Sequence, residues 1–353
     1  MNRPQRPQGV KALSTLGTTL RIRASELTHR TFVLPLLIFY PTSRCNSRCI
    51  SCDWWRSTGE DDLTLGEISH FCRSLSGLGT RVVAFSGGEP LLRPDVFAVA
   101  DLFLDQSLKL ELLTSGVLLA RHAGEVASRF TRVTLSLDAT TSDLYKKVRG
   151  VDALAVVESG IARLREAASS IPITARATLH KANFRELPRL VGRARELGLN
   201  GISFLAADVS STAFGRSQPP LAGALLLDRD EIGEFRSVVE AAIANESEAF
   251  RSGFIAESPD KLRRLPEYYA ALRGEGRFPK VWCNAPWVSA VVEANGAVRP
   301  CFFHPPVGNV REAPLDRILR EDLPVFRRKL SVASDPLCER CVCSIRFRPG
   351  GVS

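Results

Sequence analysis

LPLLIFYPTSRCNSRCISC, Leu34 to Cys52, is an apolar run that breaks into a polar loop holding three cysteines. The cysteines, Cys45, Cys49 and Cys52, follow a C-x3-C-x2-C spacing, with no fourth cysteine close by. Structural metal sites normally close with four protein ligands, whereas three ligands leave one position for an exogenous group. Taken alone, the spacing fits an open iron–sulfur site or part of a zinc site. The apolar run is too short to cross a bilayer, which takes ~20 residues. It has no small-residue cleavage site before the cysteines, so it reads as a buried strand.

Downstream, short β-rich runs alternate with helical patterns. Strands are expected at 34–40, 81–86, 108–115, 132–139, 172–180 and 201–208. Helices are expected at 64–79, 94–106, 117–129, within 141–168, at 184–197 and near 228–245. Thr64 and Glu67 form a capping-box pattern at the first helix. Six strand–helix units imply parallel strands with right-handed crossovers. They are too few for an eight-stranded barrel and predict an open, TIM-like (β/α)6 partial barrel, an α/β fold with its site at the C-terminal strand ends. The three cysteines fall on that face.

After residue 250 the pattern changes. Residues 281–306 carry an alternating run, an Asn295-Gly296 turn and a second run, a hairpin signature. A helical stretch then leads to CERCVC, Cys338 to Cys343. The expected organisation is an N-terminal tail (1–30), a core (31–250), a linker (251–269) and a small α+β domain of hairpin plus helix (270–345). The nine cysteines are odd in number and clustered, which argues for metal ligation in a reducing, cytoplasmic compartment rather than a disulfide framework. The net charge of +9 comes without runs of like charge or aromatic–basic interleaving. It predicts an arginine-rich surface, no nucleic-acid partner and no membrane segment.

The C-x3-C-x2-C loop after the first strand, GGEP (Gly87 to Pro90) after the second, and the barrel order over 31–250 together resemble the radical S-adenosylmethionine superfamily. That resemblance implies a [4Fe–4S] core cluster on Cys45, Cys49 and Cys52, whose open iron chelates S-adenosylmethionine. It implies reductive cleavage to a 5′-deoxyadenosyl radical that abstracts a hydrogen atom from substrate, with the electron coming from a donor such as flavodoxin or ferredoxin. Gly87, Gly88, Glu89 and Pro90 would hold the methionine end, and Thr114, Ser136 and Arg176 would reach the cofactor. Ser51 stands where the family often has an aromatic residue against the adenine, which shifts that expectation to residues such as Trp54.

The pattern Cys283-x12-Gly296-x4-Cys301, then Cys338-x2-Cys341, is similar to SPASM and twitch domains of that superfamily. It implies one auxiliary [4Fe–4S] cluster on Cys283, Cys301, Cys338 and Cys341, with Cys343 spare or replacing Cys341. Read without the core, these four cysteines also fit a zinc ribbon. Asp138, His180 and Asp208, at strand ends, are the candidates for a catalytic base or substrate contact. The expected substrate is a small sugar- or aminocyclitol-like metabolite. A ribosomal peptide is the alternative, disfavoured because only 33 residues precede Leu34. A non-enzymatic iron–sulfur or zinc protein is a third reading, against which GGEP argues.

Overall fold

The computed structural model describes residues 8–218, 222–345, 347–348 and 351–352. Six parallel strands run in chain order: β1 (Leu36–Phe39), β2 (Val82–Phe85), β3 (Lys109–Thr114), β4 (Phe130–Ser136), β5 (Ile173–Leu179) and β6 (Gly201–Ala206). Each central strand alternates. Leu110, Leu112, Val133, Leu135, Ile173 and Ala175 face the helices and are buried. The intervening positions face the barrel interior, as the period-2 geometry of a strand requires. Strand order and crossovers follow the expected partial barrel.

The hairpin differs from its expectation. Its strands β7 (Ser289–Val292), β8 (Ala297–Arg299) and β9 (Gly308–Asn309) extend the same sheet, because β7 pairs in parallel with β1 over four residues. An open barrel exposes two strand edges, and unpaired edges invite association. Here β7 covers one. At the other, Ile202 bridges to Ile255, and Gly201 lies so close that a Cβ there would meet the Phe254 carbonyl at 2.8 Å. Leu315, Ile318, Leu319 and Leu323 join the barrel's own hydrophobic cluster, so the C-terminal part shares one core with the barrel.

Two further segments depart from the sequence reading. Residues Gln8–Thr28 form a helix, where a tail is expected. Ile22 packs with Val33 and Val288, while Leu16, Leu20 and Leu27 are exposed, so the leucines do not mark the buried face. The linker contains the helix Pro259–Leu272, capped by Ser258, whose Tyr269 hydroxyl donates to the Leu179 carbonyl at 2.5 Å and accepts from Ala207 N at 2.9 Å.

Arg327 fastens three parts together. It is fully buried and donates to Pro286 O (2.6 Å), His29 O (3.2 Å) and Thr31 Oγ1 (2.8 Å). Burial lowers its pKa to about 9. A hydrogen bond from a charged group contributes about 1.5–3 kcal/mol, and orphaned buried acceptors add a desolvation cost. Replacing Arg327 with Met, which keeps the packing volume but no donor, is expected to cost about 3 kcal/mol of stability. Urea unfolding of the two chains checks this, and an unchanged midpoint contradicts it.

Candidate active site and auxiliary cavity

The cysteine loop and the GGEP turn lie directly on each other. Gly88 N donates to Thr42 O (3.2 Å) and Glu89 N to Arg44 O (2.8 Å). A Cβ on Gly88 would come within 2.1 Å of the Arg44 carbonyl oxygen. Gly87 has φ +94°, and a Cβ there would meet Tyr40 at 2.7 Å. Both positions therefore require glycine. Glu89 is wholly buried, and Pro90 opens the short turn Pro90–Leu92 that follows it. Glu89 Oε1 accepts from Leu91 N (3.1 Å) and Thr114 Oγ1 (2.7 Å), and Oε2 from Ser115 N (2.7 Å). A carboxylate offers about four acceptor sites; three are taken here, two of them bracing the end of β3. Ser115 Oγ then reaches Asn46 Oδ1 in the cysteine loop at 3.3 Å.

Cys45, Cys49 and Cys52 are half-buried in this loop. Burial pushes the Cys45 thiol up to about 11 and Cys52 to about 12, with neighbouring thiols adding to the effect. Thiolates in such a pocket need a compensating cation, which a bound metal cluster supplies. Three thiols converge beside a turn with no room for side chains, and this arrangement fits an open iron–sulfur site.

Two arginines, Arg216 buried and Arg149 half-buried, hold the loop, and the sequence reading named neither. Arg149 ends the helix Ser142–Arg149 and pairs through Nη1 with Asp138 Oδ2 at 3.1 Å. Burial opposes its charge, but Cys49, Asp138, Tyr145 and Cys45 more than offset this and raise its pKa. Its own carbonyl accepts from Arg48 N (2.8 Å), and Val148 O accepts from Ile50 N (3.1 Å). Gly150, at φ +70°, breaks the expected helix there, since a Cβ would sit 2.3 Å from Arg48 O. Arg216 pairs through Nη1 with Asp208 Oδ2 at 3.1 Å and donates through Nη2 to Ser51 O. Phe214 O accepts from Asp53 N (3.0 Å) and from Cys52 Sγ (3.5 Å), so residues 208–216 lap over the cysteine loop. Gly215, at φ +74°, packs against Trp54 with no space for a Cβ.

The three expected base candidates are buried and bonded to the frame. Asp138 Oδ1 accepts from Thr178 N (2.7 Å). His180 Nδ1 accepts from Ala182 N (3.2 Å), and its buried Nε2 has no hydrogen-bond partner among the described residues. Asn183 links the two, accepting from His180 N and donating to Asp138 O. Asp208 belongs to a separate network with Ser210, Ser211 and Arg216. By contrast, Ser136 and Arg176 are register partners on the inner face, Arg176 is exposed there, and its Nε donates to Ser203 Oγ at 3.1 Å.

The second cysteine set lines one cavity of roughly 520 Å³, including the solvent at its mouth. All five cysteines, Cys283, Cys301, Cys338, Cys341 and Cys343, reach it, together with His304. Asp335 caps the short helix Pro336–Glu339 through Leu337 N and Cys338 N, both at 3.0 Å, and so presents Cys338. Burial raises the Cys301 thiol to about 11 and Cys338 to about 12. Burial also raises the Cys343 thiol, an effect the charge of Arg176 opposes. Five thiols fit a four-iron cluster with one to spare.

Residues 39–201 match the family model of the radical SAM superfamily, and residues 283–342 match the SPASM iron–sulfur cluster-binding domain. The chain belongs to the radical SAM superfamily and carries a C-terminal SPASM-type domain. The two matched domains imply a core and an auxiliary iron–sulfur cluster and S-adenosylmethionine as cofactors. It is 32% identical over 168 residues to the AdoMet-dependent heme synthase of Methanosarcina barkeri, a match covering 46% of this chain and 48% of that protein. It is 24% identical to the Fe-coproporphyrin III synthase of the same organism, covering 89% and 83% of the two chains. The first of these matches spans about half of the curated relative's length. Among solved structures, Streptococcus suis SuiB bound to S-adenosylmethionine aligns over 97% of this chain and 79% of its own, with a TM-score of 0.64 and 15% identity. SuiB bound to its precursor peptide SuiA aligns with a TM-score of 0.62. At these identities the likeness is one of fold.

Two expectations follow. Replacing Arg149 with Met strands the buried Asp138 carboxylate, which costs about 3–5 kcal/mol. The variant should also retain less iron after reconstitution, read by iron analysis and thermal unfolding. For His180, burial lowers the pKa from 6.5 to about 4. As pH falls through 6.5 the unfolded chain takes a proton that the folded chain refuses. Stability is therefore full above 6.5 and declines toward pH 4. Between pH 7.5 and 5 the native chain should lose about 2 kcal/mol more than a His180→Gln chain. Parallel unfolding curves at the two pH values would contradict this.

Proposed function

We propose that this enzyme takes a hydrogen atom from a small polar metabolite held inside the barrel. The polar inner wall of β3–β6 carries the reading. Arg132 pairs with Glu111 (3.5 Å), Thr134 with Thr174 (3.1 Å) and Arg176 with Ser203 (3.1 Å), all on the interior face. An apolar substrate would leave these groups desolvated, whereas a hydroxylated or anionic one pairs with them. Arg176, exposed and next to Ser136, suits a carboxylate or phosphate.

Cys45, Cys49 and Cys52 would hold the core cluster, which with S-adenosylmethionine supplies a 5′-deoxyadenosyl radical. Gly87 and Gly88 keep the turn beside the loop free of side chains, so backbone groups are what a bound amino acid moiety meets there. Glu89 fixes the end of β3 rather than offering a free charge. Arg149 and Arg216 counter the negative charge of thiolates and cluster. Four of Cys283, Cys301, Cys338, Cys341 and Cys343 would hold the auxiliary cluster. An acidic electron carrier of the flavodoxin or ferredoxin kind fits a chain of net charge +9.

The likeness in fold to SuiB over 97% of the chain favours a second reading, a peptide substrate. The substrate panel distinguishes the two. Anaerobically reconstituted protein, with dithionite and S-adenosylmethionine, should release 5′-deoxyadenosine, and a Cys45→Ala chain should release none. Acceleration by carboxylated or phosphorylated metabolites, with a mass change in them, supports the first reading. Acceleration by peptides alone overturns it.

A further inference from the structure

His304 follows Cys301 by three residues in the loop between β8 and β9, and it is 4% exposed. Its ring stands edge-on to Phe326 with centroids 4.9 Å apart, and its carbonyl accepts from Arg299 Nη1 at 3.0 Å. The ring is thus packed against Phe326 and the backbone that carries it is anchored by Arg299. Its Nε2 lies 3.4 Å from Cys338 Sγ and 3.6 Å from Asp335 Oδ1. These three donor groups form a cluster of possible metal ligands, with their ligating atoms within 4.8 Å of one another.

Two roles compete for the ring. As an iron ligand, Nε2 would carry a lone pair, which the Asp335 carboxylate would repel. As a hydrogen-bond donor, Nε2 carries its proton toward two anions, a cysteine thiolate and a carboxylate. Asp335 is not free to turn away, because the same Oδ1 caps Leu337 N and Cys338 N. A fixed anion beside a ring nitrogen selects the tautomer protonated there. Ligands are also in surplus without the histidine, since five thiols line the cavity.

We propose that His304 does not bind iron but donates an N–H···S hydrogen bond to Cys338, held in that tautomer by Asp335, and that it raises the reduction potential of the auxiliary cluster. Hydrogen bonds to ligating sulfurs are one of the levers that set iron–sulfur potentials, because they stabilise the more negative, reduced form. His304 is thus a positioning and tuning residue. The inference rests on the reading of this cavity as the auxiliary cluster site.

The test is an EPR-monitored redox titration of the full-length holoenzyme, with iron and sulfide counted on the same samples. His304→Leu and His304→Met remove the donor and keep an apolar side chain against Phe326, while His304→Gln keeps an N–H. The auxiliary signal is assigned in a Cys45→Ala chain, which lacks an intact core site. The wild type should hold about eight irons, for two four-iron clusters. The expected result is an unchanged iron count in all three variants, a lower auxiliary midpoint potential in Leu and Met, and recovery toward wild type in Gln. Unchanged potentials in fully loaded Leu and Met chains overturn the hydrogen bond. Loss of about four irons with the auxiliary signal in both would make His304 a ligand and also overturn it. A wild-type chain that loads only four irons overturns the cavity reading itself, and with it the inference.

Discussion

The carbonyl oxygen of Arg44 leaves no room for a side chain at position 88. Because the GGEP turn and the cysteine loop share hydrogen bonds across that contact, the ends of β1 and β2 are held at backbone distance. Glu89 carries the constraint onward to the end of β3 through Thr114 and Ser115. Three consecutive strand ends are thereby fixed relative to the three cysteines. A loop of such irregular shape has few bonds within itself, and it holds its form because its neighbours determine it.

The cost of that arrangement is charge. Arg216 is deeply buried and Arg149 largely so, each with one aspartate, and buried ion pairs contribute little net stability on their own. Their placement makes sense beside a group that brings negative charge. Cys49 and Cys45 raise the pKa of Arg149, and Arg216 works against the burial of Cys52. The aspartates hold the guanidinium planes in place, and the guanidinium groups face the thiols. Asp138 and Asp208, reached by the sequence reading as possible bases, are part of this electrostatic frame.

The alternation of strands and helices, the two cysteine groups and GGEP were legible because each is a local pattern with a local cause. The arginine clamps were not, since Arg149 and Arg216 acquire meaning only when Gly150 and the 208–216 segment fold back on the cysteine loop. The helix over 8–28 was hidden because its leucines at 16, 20 and 27 face outward. The hairpin's strands were visible, but their pairing partner was not: nothing in residues 289–292 specifies β1 over any other edge. The extent of the auxiliary cavity was missed for a related reason. His304 looked solitary in sequence and is adjacent to Cys338 only in space.

The two edges of the sheet are closed in different ways. At one end, four residues of β7 are zipped to β1, and Tyr40 stacks on Phe302 with centroids 6.4 Å apart. Phe214 meets Phe303 edge-on nearby, so aromatic contacts bridge the segment over the cysteine loop and the loop that carries Cys301. At the other edge, Ile202 N donates to Phe254 O and Ile202 O accepts from Ala256 N, while Glu257 Oε2 accepts from Phe204 N, so residues 254–257 strap β6. Both cysteine groups thus hang from the β1–β7 edge, and the strap that closes β6 carries neither.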